Sequence, residues 1–250
     1  MAFYKFRHFR LTGALSAVAL LAVAVAASHM AWRIKLSVGL VRQSEALQVS
    51  PSNATARLLI VGDSTAVGTG TSSATNSLAG LISRDHPHIT VVNRAADGAR
   101  FADIAGQLAG QEEFDIVLLL GGGNDVVRLT ERHALERDIA KALELAQNRA
   151  RQVVIMPPGN VGNAPFFFAP LTWLMTQRSK TLHRLVRQAA AATGAVYVNL
   201  YHDRADDPFA QRPDELNAPD GLHPSDAGYR VWYDALNSQA AFSSRLAKLR

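Results

Sequence analysis

From Arg57 onward, short aliphatic runs alternate with longer segments of helical periodicity, and this alternation strongly constrains the fold. Each run has four or five residues bounded by Gly, Asn, Asp or Pro, which is typical of buried strands. Strict alternation of strand and helix predicts one parallel sheet with helices on both faces. The five predicted strands are Leu58–Val61, Ile89–Val92, Ile116–Leu120, Val153–Met156 and Val196–Leu200.

The segments between the predicted strands have apolar residues at helical spacing. The clearest is Glu131–Arg149, where Leu135 and Ile139 recur on one face. A second helix is predicted over Leu174–Ala192, and a last one after Ser225, a residue type that caps helix N-termini. A chain of 250 residues is long enough for one sizeable core, so this region is expected to be a single domain.

Three predicted strands end in polar or glycine-rich motifs. In open α/β sheets, ligands bind beyond the carboxyl ends of the strands, near the switch in strand order. In the flavodoxin-like order 2-1-3-4-5, strands two and three both lie beside strand one. A hydroxyl, a glycine amide and a carboxamide would then meet at one edge. The motifs are Gly62-Asp63-Ser64-Thr65, Asn93-Arg94-Ala95-Ala96-Asp97-Gly98 and Gly121-Gly122-Gly123-Asn124-Asp125.

A fourth motif, Asp220-Gly221-Leu222-His223-Pro224, lies near the C-terminus. An Asp three residues before a His can fold back onto the imidazole, fix its tautomer and stabilise its protonated form. Each motif also has an ordinary explanation when taken alone. A serine after a strand commonly caps a helix, and the Asp-His pair could be a turn with a surface histidine.

In combination, the four motifs resemble the four sequence blocks of SGNH (GDSL-like) hydrolases, in the same order. The resemblance covers about Leu58 to Trp232. It implies a three-layer flavodoxin-like α/β fold and an esterase, lipase, thioesterase or carbohydrate-deacetylating activity. Thr65 stands where the family's name has Leu, at a position that varies and does not react. Asp125 is expected to be a structural partner.

By matching position, the resemblance implies that Ser64 is the nucleophile and that Asp220 and His223 complete a catalytic triad. It implies an oxyanion hole made of the backbone amides of Ser64 and Gly98 and the side-chain amide of Asn124. These residue types suit ester cleavage, because a serine needs a neighbouring base and the intermediate's oxyanion needs preplaced donors. No cofactor and no metal are expected.

The predicted function is therefore serine-dependent hydrolysis of a small-molecule, lipid or acylated-carbohydrate ester by a monomeric enzyme. Two alternatives remain open: an acyltransferase using the same triad, and a catalytically silent binding module of the envelope. The nucleophile turn of an α/β-hydrolase has the sequence Gly-x-Ser-x-Gly. Here Ala66, and not glycine, stands two residues after Ser64, so the sequence disfavours that class of hydrolase. The absence of cysteine excludes disulfides and thiolate chemistry.

The formal net charge of +5 is concentrated near the N-terminus. Residues 1–44 hold six basic side chains and no acidic one, which leaves 20 basic against 21 acidic side chains in the rest. A nearly neutral domain does not have the basic surface typical of nucleic-acid binding, so no nucleic-acid partner is expected.

Between Arg10 and Arg33 lie 22 residues without a formal charge, enough for a helix to cross a bilayer core. We expect residues 1–36 to be a membrane anchor, with the catalytic domain outside the cytoplasm, followed by a linker at 37–56 and the hydrolase domain at 57–250. The alternative is a signal peptide cleaved near Ala24-Val25-Ala26, which would release a secreted or periplasmic protein.

The connection after the fourth predicted strand, residues 157–175, is long and strongly aromatic. Phe166, Phe168 and Trp173 lie within it. These side chains could line an acyl pocket or face a membrane, or they could pack inward as an ordinary extension of the core.

Overall fold

The computed structural model describes the backbone of residues 2–249 and the side chains of residues 20, 21 and 23–249. Five parallel strands form one sheet in the order β2-β1-β3-β4-β5. The predicted parallel sheet and its flavodoxin-like order are thereby confirmed. The strands are β1 (Ala56–Gly62), β2 (Ile89–Asn93), β3 (Phe114–Leu120), β4 (Ala150–Ile155) and β5 (Val196–Tyr197).

Helices connect the strands and follow the last of them. Two short 3₁₀ turns, Ala74–Asn76 and Val161–Asn163, lie in the connections after β1 and β4. The α-helices of the described chain are α1 (Ala2–Gln43), α2 (Ser64–Val67), α3 (Leu78–Asp85), α4 (Phe101–Gln107), α5 (Gly123–Val127), α6 (Arg132–Gln147), α7 (Leu171–Thr193), α8 (Pro208–Gln211), α9 (Pro213–Leu216), α10 (Asp226–Ala240) and α11 (Phe242–Ala247).

The sheet separates two apolar clusters. Successive side chains of a strand point to opposite faces, so in β1 Leu58 and Ile60 join one cluster while Leu59 and Val61 join the other. All four are fully buried, and burial of each contributes about 1.5–3 kcal/mol. Helices α3, α10 and α11 cover the first face, and α4, α6 and α7 cover the second.

The predicted helices are present with small differences at their ends. The side chain of Glu131 accepts a hydrogen bond from the amide of Ala134, so it caps α6 instead of joining it. Helix α7 starts at Leu171, three residues before the predicted start. The hydroxyl of Ser225 accepts a hydrogen bond from the amide of Gly228 and caps α10, as predicted.

Strand β5 is shorter than predicted. Asn199 lies within the predicted strand, but its backbone N–H and C=O groups both form hydrogen bonds with the side chain of Gln239. The Asn199 amide donates to Gln239 Oε1 at 2.7 Å, and Gln239 Nε2 donates to the Asn199 carbonyl at 2.9 Å. These bonds replace those of a strand ladder, so pairing with β4 ends at Tyr197.

The N-terminal part of the chain is one helix that extends further than the sequence suggested. Residues 37–43, expected to belong to a linker, continue α1, and Val49 then forms an isolated bridge with Val91. The division at residues 36 and 56 stays a prediction. The side chains of residues 11–19 and 22, part of the predicted membrane segment, lie outside the described residues. Among those that are described, no helix meets the length and hydropathy that a membrane crossing requires.

Candidate active site

The carboxyl ends of β1, β2 and β3 meet at one edge of the sheet. The amide of Asp63, just after β1, donates to the carbonyl of Leu120 at the end of β3. The amide of Ala96, after β2, donates to the carbonyl of Gly62 at 3.1 Å. The three predicted motifs are therefore joined by backbone hydrogen bonds, as the strand order requires.

Ser64 is the first residue of α2, where the backbone turns sharply from strand to helix. Asp63 caps this helix, because its Oδ1 accepts hydrogen bonds from the Thr65 amide at 2.9 Å and the Thr65 hydroxyl at 2.7 Å. Burial raises the pKa of Asp63, while the bonds from Thr65 act in the opposite direction. Thr65, expected to be inert, therefore orients the turn that carries Ser64.

Two further residues hold this turn. Gln107 binds both backbone groups of Gly62, with its Oε1 accepting from the amide at 2.7 Å and its Nε2 donating to the carbonyl at 2.9 Å. Asn93 donates to the carbonyl of Ala66 at 2.8 Å. Neither side chain has a role that was predicted from the sequence. The position of Asn93 at the end of a strand beside β1 could have indicated its role. The sequence around Gln107 contains no feature that would have indicated one.

His223 faces Ser64 across the edge of the sheet. Its Nε2 lies 2.9 Å from Ser64 Oγ, and its Nδ1 lies 2.6 Å from Asp220 Oδ2. A carboxylate only accepts hydrogen bonds, so Nδ1 carries the proton and Nε2 is left to accept from the hydroxyl. All three side chains are buried, with Asp220 fully enclosed. The structure thus brings Ser64, His223 and Asp220 into one hydrogen-bonded chain.

The loop around Asp220 holds the carboxylate in its charged form. Its Oδ1 accepts from the amides of Leu222 at 2.9 Å and His223 at 3.1 Å. Burial alone would raise the pKa of Asp220, but the hydrogen bonds from the His223 ring and these amides outweigh it and lower the pKa below its ordinary value. The carboxylate is therefore ionised at neutral pH and fixes the imidazole.

Gly98 and Asn124 lie on the loops beside Ser64. Gly98 has φ +77°, a left-handed conformation that favours glycine. One N–H of the Asn124 side chain donates to the Ala99 carbonyl at 3.1 Å, which fixes the orientation of the amide. Asp125 accepts from the amide of Phe101 at 3.0 Å, consistent with its predicted structural position.

A cavity of about 220 Å³ opens above these groups. Ser64, Gly98, Asn124 and His223 lie on its walls, together with Ser37 and Val41 of α1. Its apolar lining includes Val127, Val161, Leu200, Phe209, Leu222 and Trp232.

The aromatic residues of the connection at 157–175 do not line this cavity. Phe166 is buried, and its amide donates to the Gly221 carbonyl at 2.9 Å. Phe168 and Trp173 are exposed to solvent away from the cavity walls. The backbone turn at Val161 and Ala164 contributes to the wall instead, so the inward-packing interpretation holds for Phe166.

Known proteins resemble the chain over the same region. A family model for the GDSL-like lipase/acylhydrolase family matches residues 60–231. A GDSL-like esterase of Mycobacterium tuberculosis is 28% identical over 188 residues, which cover 72% of this chain and 60% of that protein. The chain thus spans less than two thirds of the length of this curated relative.

Two solved structures have a similar fold. A candidate SGNH hydrolase from Slackia heliotrinireducens superposes with a TM-score of 0.54 at 26% identity, covering 75% of this chain and 100% of that one. An acetylxylan esterase from Geobacillus stearothermophilus superposes with a TM-score of 0.53 at 22% identity, covering 75% and 94%. The family match spans more than half of the chain and includes all four motifs, so the protein belongs to the GDSL-like lipase/acylhydrolase family.

Proposed function

We propose that the protein is a serine-dependent ester hydrolase that works through an acyl-enzyme. The observation that carries this proposal is the hydrogen-bonded chain from Asp220 through His223 to Ser64 at the wall of a cavity. Membership of a family of lipases and acylhydrolases supports it.

In the first half of the reaction, His223 Nε2 takes the hydroxyl proton while Ser64 Oγ bonds to the carbonyl carbon of the ester. The resulting imidazolium is stabilised by the Asp220 carboxylate and then gives the proton to the leaving alcohol oxygen. In the second half, a water molecule gives its proton to His223 and attacks the acyl-enzyme. The carboxylic acid leaves, and Ser64 regains its proton.

The oxyanion formed in each half-reaction needs hydrogen-bond donors that are already in place. Ser64 begins a helix, so its amide has no acceptor within that helix and can serve as one donor. Gly98 offers a second amide. Asn124 has one side-chain N–H bound to the Ala99 carbonyl, which leaves its other N–H available to the cavity.

Replacing Asn124 with alanine is expected to lower kcat roughly 100-fold or more, with little change in KM. The lost donor acts on a charge that is present only in the transition state. Steady-state kinetics on p-nitrophenyl acetate would measure the effect, with Asn76→Ala, a change in a 3₁₀ turn that does not line the cavity, as the control. A change in KM alone would show that Asn124 binds the ground-state substrate instead.

We propose esters of short acyl groups as the substrates, carried either by a carbohydrate or by a small lipid. The cavity, at about 220 Å³, is smaller than the roughly 300–1,000 Å³ typical of sites for drug-sized ligands. Its apolar lining suits an acyl group, and a similarly folded relative is an acetylxylan esterase. A panel of acetylated sugars and p-nitrophenyl esters of increasing acyl length tests this choice.

We also propose that residues 11–32 anchor the protein in a membrane with the catalytic domain outside the cytoplasm. The uncharged span, its basic N-terminal flank and the exposure of Leu20, Leu21, Val23 and Val25 support this location. The protein is expected to stay in the membrane pellet after alkaline carbonate and to be degraded by protease in intact spheroplasts. A soluble product beginning near Ala27 would show cleavage and contradict the anchor.

A further inference from the structure

The last three turns of α1 lie against the active site. Arg33 Nη1 donates to the carbonyl of Pro219 at 2.9 Å, and Ser37 and Val41 line the cavity that contains Ser64. These α1 residues are spaced by four, so they share one face of the helix. Ser44, just after the helix, continues this face, and its hydroxyl lies 3.0 Å from that of Thr69.

This helix face joins the two sides of the site. Its Arg33 end contacts Pro219, directly before Asp220, whereas at its other end Ser44 Oγ lies 3.4 Å from Asp97 Oδ2, directly before Gly98. Eleven residues of α-helix span about 16 Å. Helix α1 therefore crosses from the loop of the Asp–His pair to the loop of the proposed oxyanion glycine.

The position of each contact predicts which part of the ester lies beside it. His223 must protonate the leaving alcohol, so the alcohol lies towards the loop of Asp220. The oxyanion points towards the amides of Gly98 and Asn124, so the acyl group, which is bonded to the same carbon, takes the remaining direction on the side away from His223. Val41 is one turn from the Asp97 end of the helix face, so it lies on the acyl side.

We propose that Val41, with Ser37 beside it, forms the wall that limits the length of the acyl group. The N-terminal helix is then a specificity-determining part of the substrate site as well as the segment that precedes the domain. This inference rests on the proposed esterase function. The neighbouring Val38 is 45% exposed and is not among the residues that line the cavity, which makes it a matched control on the same helix.

Replacing Val41 with a larger or a smaller side chain in the full-length protein tests the inference. We expect Val41→Trp to lower kcat/KM for p-nitrophenyl butyrate and hexanoate roughly 10-fold or more relative to the acetate. Val41→Ala is expected to shift the same ratio towards the longer esters, and Val38→Trp to leave it at the wild-type value. Thermal unfolding curves would identify a variant that fails to fold, and Val41→Ala keeps the test available if the tryptophan variant does.

The possible outcomes distinguish a failure of the proposed role of Val41 from a failure of the proposed esterase function. An active wild-type enzyme whose acyl-length ratios are the same in all three variants would overturn the role of Val41 and leave the proposed esterase function standing. An equal shift in Val38→Trp would also overturn it, because the effect would then not come from the cavity wall. A wild-type protein that hydrolyses none of the esters would overturn the esterase function, and the role of Val41 with it.

Discussion

Ser64→Ala is expected to abolish ester hydrolysis, with a loss in kcat of roughly a million-fold. Alanine leaves no oxygen at the position that faces His223 Nε2 at 2.9 Å, so the acyl-enzyme cannot form there. Hydrolysis of p-nitrophenyl acetate by the purified variant would measure the loss. The variant should keep the wild-type fold, because the turn is held by Asp63, Gln107 and Asn93 through backbone groups.

The control for this variant is Ser238→Ala, which removes a hydroxyl that bonds only locally, to the Ala235 carbonyl, on an exposed part of α10. It should keep wild-type kinetics. Circular dichroism and the melting temperature would establish that both variants are folded. A folded Ser64→Ala protein that retains more than a small fraction of the wild-type activity would overturn the assignment of the nucleophile.

Asp220→Asn is expected to lower kcat roughly 10⁴-fold while leaving the fold intact. The asparagine can still accept the amide hydrogens of Leu222 and His223 through its oxygen. Its nitrogen would then face His223 Nδ1 and donate to it, which forces the ring proton onto Nε2. In that tautomer, the imidazole cannot accept the proton of Ser64.

A second carboxylate in the same part of the chain provides the comparison for Asp220→Asn. Asp226 binds Ser72 and Asn76 at the surface, six residues after Asp220, and lies outside the cavity. Asp226→Asn should keep nearly all of the activity on p-nitrophenyl acetate. A loss of only a few-fold in Asp220→Asn would mean that another group orients His223.

Much of this fold can be predicted from the sequence because each strand is encoded locally. The run Leu58–Val61 is aliphatic and bounded by polar or glycine residues, and the same holds for the runs around Val91 and Leu118. Strand ends were also informative, since parallel strands bring Ser64 and Asn124 to one edge whatever the exact packing. The end of β5 was not predictable, because it depends on Gln239, 40 residues further along the chain.

The residues that position the active-site backbone or line the cavity were harder to predict than the proposed catalytic residues themselves. Ser64, Asp220 and His223 belong to short motifs that stay together in the sequence. Gln107 contacts Gly62 across 45 residues and has no local signature. The contact of Val41 with the cavity depends on where a long helix lies in space, and periodicity alone does not give that position.

Reaction with a fluorophosphonate, followed by peptide mass spectrometry, would show directly whether Ser64 is an activated nucleophile. The probe labels a serine only when a neighbouring base activates its hydroxyl, and the chain has no cysteine to compete for it. We expect one phosphonyl adduct on Ser64 in the wild-type protein and none in Ser64→Ala. A folded wild-type protein that stays unlabelled, or that carries the adduct on a different residue, would rule out Ser64 as the nucleophile.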